Sequence, residues 1–139
     1  MFEGTRFGKT IDLLHRSLDV ETLRRQVIAD NIANADVPNF KRSTVNFEAS
    51  LKRALDSERA APSLRLAVTH PGHIGDDGPI DYRSVKPRRV LDYLTTAKNN
   101  GNNVDAEEEA MASLRNQLMY TLETQAINFE FGQVNLVLR

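Results

Sequence analysis

Ile28-Ala29-Asp30-Asn31-Ile32-Ala33-Asn34-Ala35-Asp36-Val37-Pro38-Asn39-Phe40-Lys41 is where this chain changes course. Ile28 and Ile32 stand four residues apart, one helical turn, on one face. Pro38 then disfavours helix for the residue before it and has no amide to donate. Asn31, Asn34, Asp36 and Asn39 crowd the same end, and their short polar side chains satisfy loose backbone groups at helix termini and turns. A helix is therefore predicted to stop near Ala35–Pro38, with a sharp turn at Asp36–Asn39. Beyond it Val45 and Phe47 alternate with Thr44 and Asn46, which predicts an extended arm or short strand over Phe40–Phe47.

Upstream, the helix runs back to Phe7 without Gly or Pro between Lys9 and Val37. Phe7, Ile11, Leu14 and Leu18 recur in fours and threes, and Ile28 and Ile32 resume the row. Leu13, Val20 and Val27 form a second row in steps of seven, and Leu23 widens it. Glu21 and Arg25 sit where the first row would continue. Two adjacent stripes on one helix suit more than one neighbour.

Downstream, Glu48–Arg59 reads as a second helix, with Leu51, Ala54 and Leu55 on one face. From Ala60 to Asn103 the character changes, with four of the five prolines and four of the seven glycines. Leu64–Val68 is a candidate strand. Gly75-Asp76-Asp77-Gly78-Pro79 is a turn signal, and Val85 and Val90–Leu94 are the apolar anchors. Asn99–Asn103 reads as a linker or turn.

The last helix begins at Asp105, a capping residue with Glu108 at the capping-box position. Glu107, Glu108 and Glu109 complement the positive helix end. Met111, Leu114, Leu118, Leu122, Ala126 and Phe129 follow in threes and fours. The chain ends Leu136-Val137-Leu138-Arg139, an apolar finish expected to pack against the same chain or another.

The balance of the 139 residues narrows the function. A formal net charge of -1 and a pI near 6.3 argue against nucleic acid, which demands a clustered positive field. Cysteine is absent, which excludes disulfides, thiolate metal sites and cysteine nucleophiles. No apolar run reaches the roughly 20 residues of a membrane span, and Met1–Phe7 lacks the pattern of a cleaved signal peptide. Catalytic constellations are missing too: there is no phosphate loop, nucleophile elbow or zinc-protease helix. His70 and His73 would hold a metal only with two further ligands, for which Asp76 and Asp77 stand near in sequence. A loop role is the simpler reading, and a metal-dependent hydrolase is the hypothesis it displaces. No catalytic residue, metal or cofactor is expected.

The quoted stretch resembles the Asn-rich motif near the N-terminus of flagellar rod and hook proteins, of general form A-x-N-[ILV]-A-N-x-x-T-P-[GN]-[YF]-K. Three further segments resemble the FlgB type of that family: Val45-Asn46-Phe47-Glu48-Ala49-Ser50-Leu51, Thr69-His70-Pro71-Gly72-His73-Ile74, and Gly101-Asn102-Asn103-Val104-Asp105-Ala106-Glu107. Four matches in order are specific where one alone would be only suggestive. Val37 stands where threonine is usual, Asn39 where glycine is common, and Ala106 where leucine is common.

The resemblance implies a structural subunit of the proximal rod of the flagellar basal body, not an enzyme. The rod crosses the periplasm. Such subunits are made in the cytoplasm and leave through the flagellar type III export apparatus without a cleaved signal. Implied partners are the other proximal rod proteins, the membrane-ring protein and the rod-base adaptor, with no nucleic acid and no small-molecule substrate. A small coiled-coil adaptor or export chaperone is the alternative.

The expected fold is mainly α: long N- and C-terminal helices pack as a coiled-coil-like pair, with a small β-rich or irregular middle insertion. The expected division is residues 1–59, 60–103 and 104–139. Asn31, Ala33, Asn34, Pro38, Phe40 and Lys41 form the assembly motif, in which Asn31 and Asn34 would bond backbone and neighbouring subunits. Ile11, Leu14, Leu18, Ile28, Ile32, Leu114, Leu118, Leu122 and Phe129 are the helix-packing residues, and between subunits is their favoured use. With such stripes uncovered, the isolated subunit is expected to be partly unfolded.

Overall fold

The computed structural model describes residues 4–60, 69–70, 72 and 78–138. Thr5 caps the first helix, its Oγ1 accepting the Gly8 N–H at 3.1 Å, and α1 runs Arg6–Ala33. It stops at the predicted place: Asn34 is the C-cap, and tight turns carry the chain past Pro38. Strand β1 (Ser43–Asn46) follows, then helix α2 (Glu48–Ala60), a 3₁₀ turn at Tyr82–Ser84, strand β2 (Arg88–Leu91) and helix α3 (Ala106–Val137). Asp105 caps α3 as expected, accepting the Glu107 N–H at 2.9 Å. The fold is mainly helical, with one small antiparallel sheet, β1 beside β2.

Two compact units divide the chain. One comprises the residues up to Val45 together with those from Arg89 onward. In it α1 and α3 pack against each other. They run antiparallel: Phe7 meets Phe131 edge-on at 5.8 Å, while Arg25 reaches Gln117 at 2.8 Å. The other unit spans Asn46–Arg88. There α2 packs on the 3₁₀ turn, the Ser57 Oγ accepts the Ile80 N–H at 3.0 Å, and Phe47, Ala54 and Tyr82 are buried. The candidate strand Leu64–Val68 lies outside the described residues. Among the described residues, Val90 to Leu94 do not serve as the apolar anchors expected of them: Val90, Leu91, Tyr93 and Leu94 are exposed on or beside a two-stranded ribbon.

The interior of the helix pair is unusual in kind. α1 buries Val20 and Val27, members of its second row, with Ile28 beside them. α3 answers with Glu109 and Asn116, both buried. Asn116 donates to the Glu21 backbone carbonyl at 2.9 Å and to the Glu21 carboxylate, which also bonds Arg24. Farther along, the Ser17 hydroxyl donates to Glu123. Glu109, Asn116 and Glu123 recur every seven residues, which sets polar groups into the inward stripe of α3 beside the half-buried Ala112, Tyr120, Ile127 and Val134.

Candidate assembly site

The Asn-rich motif folds onto its own chain. Asn31, 1% exposed, faces Ser43 with both ends of its amide. Its Nδ2 donates to the Ser43 carbonyl at 2.9 Å, and its Oδ1 accepts the Ser43 N–H at 3.0 Å. One side chain thus ties the last turn of α1 to the first residue of β1. Asn34 turns back to donate to the Asp30 carbonyl at 2.7 Å. Ala33 and Pro38 are exposed and Phe40 is half-buried. Lys41 extends its ammonium to the carbonyls of Thr95 at 3.1 Å and Gly101 at 2.9 Å. Asn39 adopts φ 61°, a conformation asparagine tolerates better than most residues, and its N–H reaches the Asn100 carbonyl at 3.0 Å.

The segment read as a linker or turn, Asn99–Asn103, is the receptor for this turn. Asn102, fully buried, donates to the carbonyls of Asn34, Ala35 and Val37 at 3.0, 3.0 and 2.8 Å. Asn103 accepts the Arg42 N–H at 2.6 Å and donates to the Asp92 carbonyl at 2.9 Å. Arg42 then bonds Glu109 through Nε at 2.6 Å and Glu108 through Nη1 at 2.7 Å. Partial burial works to lower the Arg42 pKa, but the hydrogen bond to Glu108 and the fields of Glu109 and Glu108 outweigh it and raise it. Glu108, expected to close a capping box, turns its carboxylate to this guanidinium.

The two sets of packing residues fare differently. On α1, Ile11, Leu14 and Leu18 are half-buried and Ile28 is buried, whereas Ile32 is exposed. On α3 the apolar row faces outward: Leu114, Leu118, Leu122 and Phe129 are 54%, 57%, 58% and 64% exposed. Met111, Leu136, Val137 and Leu138 are exposed as well. The inner face mixes Glu109, Asn116 and Glu123 with half-buried Ala112 and Ile127, while the leucine row lies outside, where a helix that completes its own core would not leave it.

Sequence reasoning assigned no packing role to Asn102, Asn103, Lys98, Arg42, Glu109 or Asn116. The heptad of Glu109, Asn116 and Glu123 was a usable signal, as was Glu21 interrupting an apolar row. Both mark polar contacts inside a helix seam. His70 is exposed, and its Nδ1 accepts the Gly72 N–H at 3.1 Å. His73, Asp76 and Asp77 lie outside the described residues.

A family model described as "Flagella basal body rod protein" matches residues 23–41, the second half of α1 with its turn. The chain is 47% identical to flagellar basal body rod protein FlgB of Borrelia hermsii over 133 residues, which is 96% of this chain and 98% of that one. It is 44% identical to FlgB of Borreliella burgdorferi with the same coverage. With FlgB of Bacillus subtilis it shares 31% over 132 residues, 95% of each chain. The chain belongs to the FlgB family. Its function is that of a structural subunit of the flagellar basal body rod. Among the described residues, no helix is long and apolar enough to cross a membrane. The FlgB relatives align along nearly the whole chain, so the family spans the receptor segment and the outward leucines as well as the Asn-rich motif.

Proposed function

We propose that this chain occupies the proximal part of the rod and joins it through the outer face of α3 together with α1. The observation that carries the reading is the inverted stripe of α3. Full burial of a leucine side chain contributes about 1.5–3 kcal/mol. Leu114, Leu118 and Leu122 are already partly covered, so a neighbour's helix would add roughly 2–5 kcal/mol on these three alone. That is a sizeable fraction of the 5–15 kcal/mol typical of a whole domain. Folding and assembly are then coupled: the subunit completes its apolar surface only against others. Its neighbours are the other proximal rod proteins, the ring protein and the rod-base adaptor. It leaves the cytoplasm through the flagellar type III export apparatus with no cleaved signal. The role is mechanical and requires no catalysis.

The test is the double substitution Leu118→Glu with Leu122→Glu. The purified variant is expected to keep its helical circular dichroism, because neither side chain supports the subunit's own seam. Cells carrying it in place of the natural gene are expected to lose swimming and to lack completed rods. Normal rods and normal swimming in those cells would refute the outward stripe as the assembly face.

A further inference from the structure

The turn that follows α1 is held by groups from far along the chain. The last carbonyls of α1 itself, on Asp30, Asn31 and Ile32, accept the N–H groups of Asn34 and Ala35, and cations are favourable at that end of a helix. α1 has no basic residue in its last turn. Instead Lys98 Nζ reaches the Ala35 carbonyl at 2.8 Å, and the Asn102 amide stands against Asn34, Ala35 and Val37. The other end of the same amide accepts the Val104 N–H at 2.6 Å, just before the Asp105 cap of α3. Asn102 therefore holds the turn after one helix and the approach to the other. Asn103 repeats the arrangement toward the strands, between Arg42 and Asp92.

Burial follows this cluster. In the helix pair and its loops, every buried residue falls within Val20–Ser43 or Asn102–Asn116. From Arg6 to Asp19 and from Gln117 to Leu138, no described residue is buried. The far half of the pair meets through half-buried contacts, among them Phe7 on Phe131 and the Ser17 hydroxyl on Glu123. Apolar rows alone allow a helix to slide by a turn or a heptad, since one aliphatic knob replaces another, whereas a polar contact specifies register. A shift of α3 by one turn, about 5.4 Å, would break every bond that Asn102 makes to the turn after α1.

We infer that residues 98–103 form a latch, with Asn102 as its positioning residue, which sets the register of α3 on α1. The register fixes where Leu114, Leu118 and Leu122 stand relative to α1. Its consequence for assembly rests on the rod reading, but the register itself does not.

The experiment uses the full chain, which has no cysteine of its own. His15→Cys and Thr124→Cys, at exposed positions on the two helices, carry spin labels for pulsed-resonance distance measurement. With Asn102 present a single narrow distance is expected. Asn102→Ala should lose it to a broad distribution, whereas Asn116→Ala, which removes the seam bond to Glu21, should retain it. A narrow distance surviving Asn102→Ala, or equal broadening by Asn116→Ala, overturns the latch. If Asn102→Ala loses its helical signal, Lys98→Met replaces it: broadening supports the latch and an unchanged distance overturns it. A variant that keeps its register yet fails to join rods leaves the latch intact and places the fault elsewhere on the assembly face. A variant that loses register and still builds normal rods breaks the link between latch and assembly.

Discussion

Asn31 bonds the backbone of a single residue, Ser43, through both donor and acceptor. Alanine there would leave a buried N–H and a buried carbonyl unsatisfied, at about 1–3 kcal/mol for each such group. Asn31→Ala is expected to lower the urea midpoint sharply while leaving its slope unchanged. Asn31→Asp should be no milder, since a carboxylate would then face the Ser43 carbonyl. Gly101 has a narrower role: its φ of +80° is one that L residues avoid, and an added Cβ would lie 2.5 Å from the Asn39 Oδ1. Asp92 carries a pH signature. The Thr95 hydroxyl, at 2.7 Å, does most to hold its carboxyl below the ordinary value of 3.8; burial opposes it, and the Leu94 and Thr95 amides add to the lowering. The folded form therefore gains stability from Asp92 in full above that value, and loses it as pH falls through the lowered folded value. An NMR titration of the Asp92 carboxyl should show the depressed midpoint, and the chemical shift of the Thr95 amide should follow the same titration. Asp92→Asn should abolish that pH response.

At the scale of elements, the approach to β1 and the first turns of α3 are joined by Arg42 and Glu109. Glu109 is almost fully buried. Removing the partner of a buried charge costs about 3–5 kcal/mol, whereas replacing the whole pair with apolar groups is often neutral. Arg42 is partly exposed, so the lower end applies: Arg42→Met is expected to destabilise by about 3 kcal/mol. Arg42→Met with Glu109→Leu should recover most of that in the same denaturation assay. A second contrast separates the two faces of the helix pair. Val27→Ala, at a buried position, should cost about 2 kcal/mol. Leu118→Ala, on the outward row, should stay within about 0.5 kcal/mol. Much at this scale was legible beforehand: the stop of α1 at the Asn-Pro turn, the alternation through β1, α2, and the Asp105 cap. The direction of the α3 leucines was not, because periodicity reports that an apolar face exists and not what covers it.

Across the helix pair as a whole, order should be graded. Hydrogen exchange in the isolated chain is expected to be slowest in residues 20–31 and 106–116, where α1, α3 and the receptor loop bury one another. It should be fastest in residues 6–19 and 120–137, whose side chains lack that cover. Uniform protection along both helices would contradict this gradient. The same asymmetry suits a subunit that keeps one end formed while the other waits for neighbours. The contact-defined units also divide the chain differently from composition. The Pro- and Gly-rich boundary near residue 60 is not where the packing changes; that happens at Val45 and Arg89.

The sequence by itself determined the local events: two long helices, the turn between Asn34 and Asn39, the strand that follows and the cap that opens α3. Each depends on residues within a turn or two of one another. It also carried the family resemblance, because that resides in ordered short motifs. Only the tertiary structure decided which stripe of each helix faces inward, and that Asn102 and Lys98 hold the turn after a helix more than sixty residues earlier. Those outcomes depend on where unpaired carbonyls and amides meet in space. A hydrogen bond is specified by the geometry of both partners, and only one of them is local.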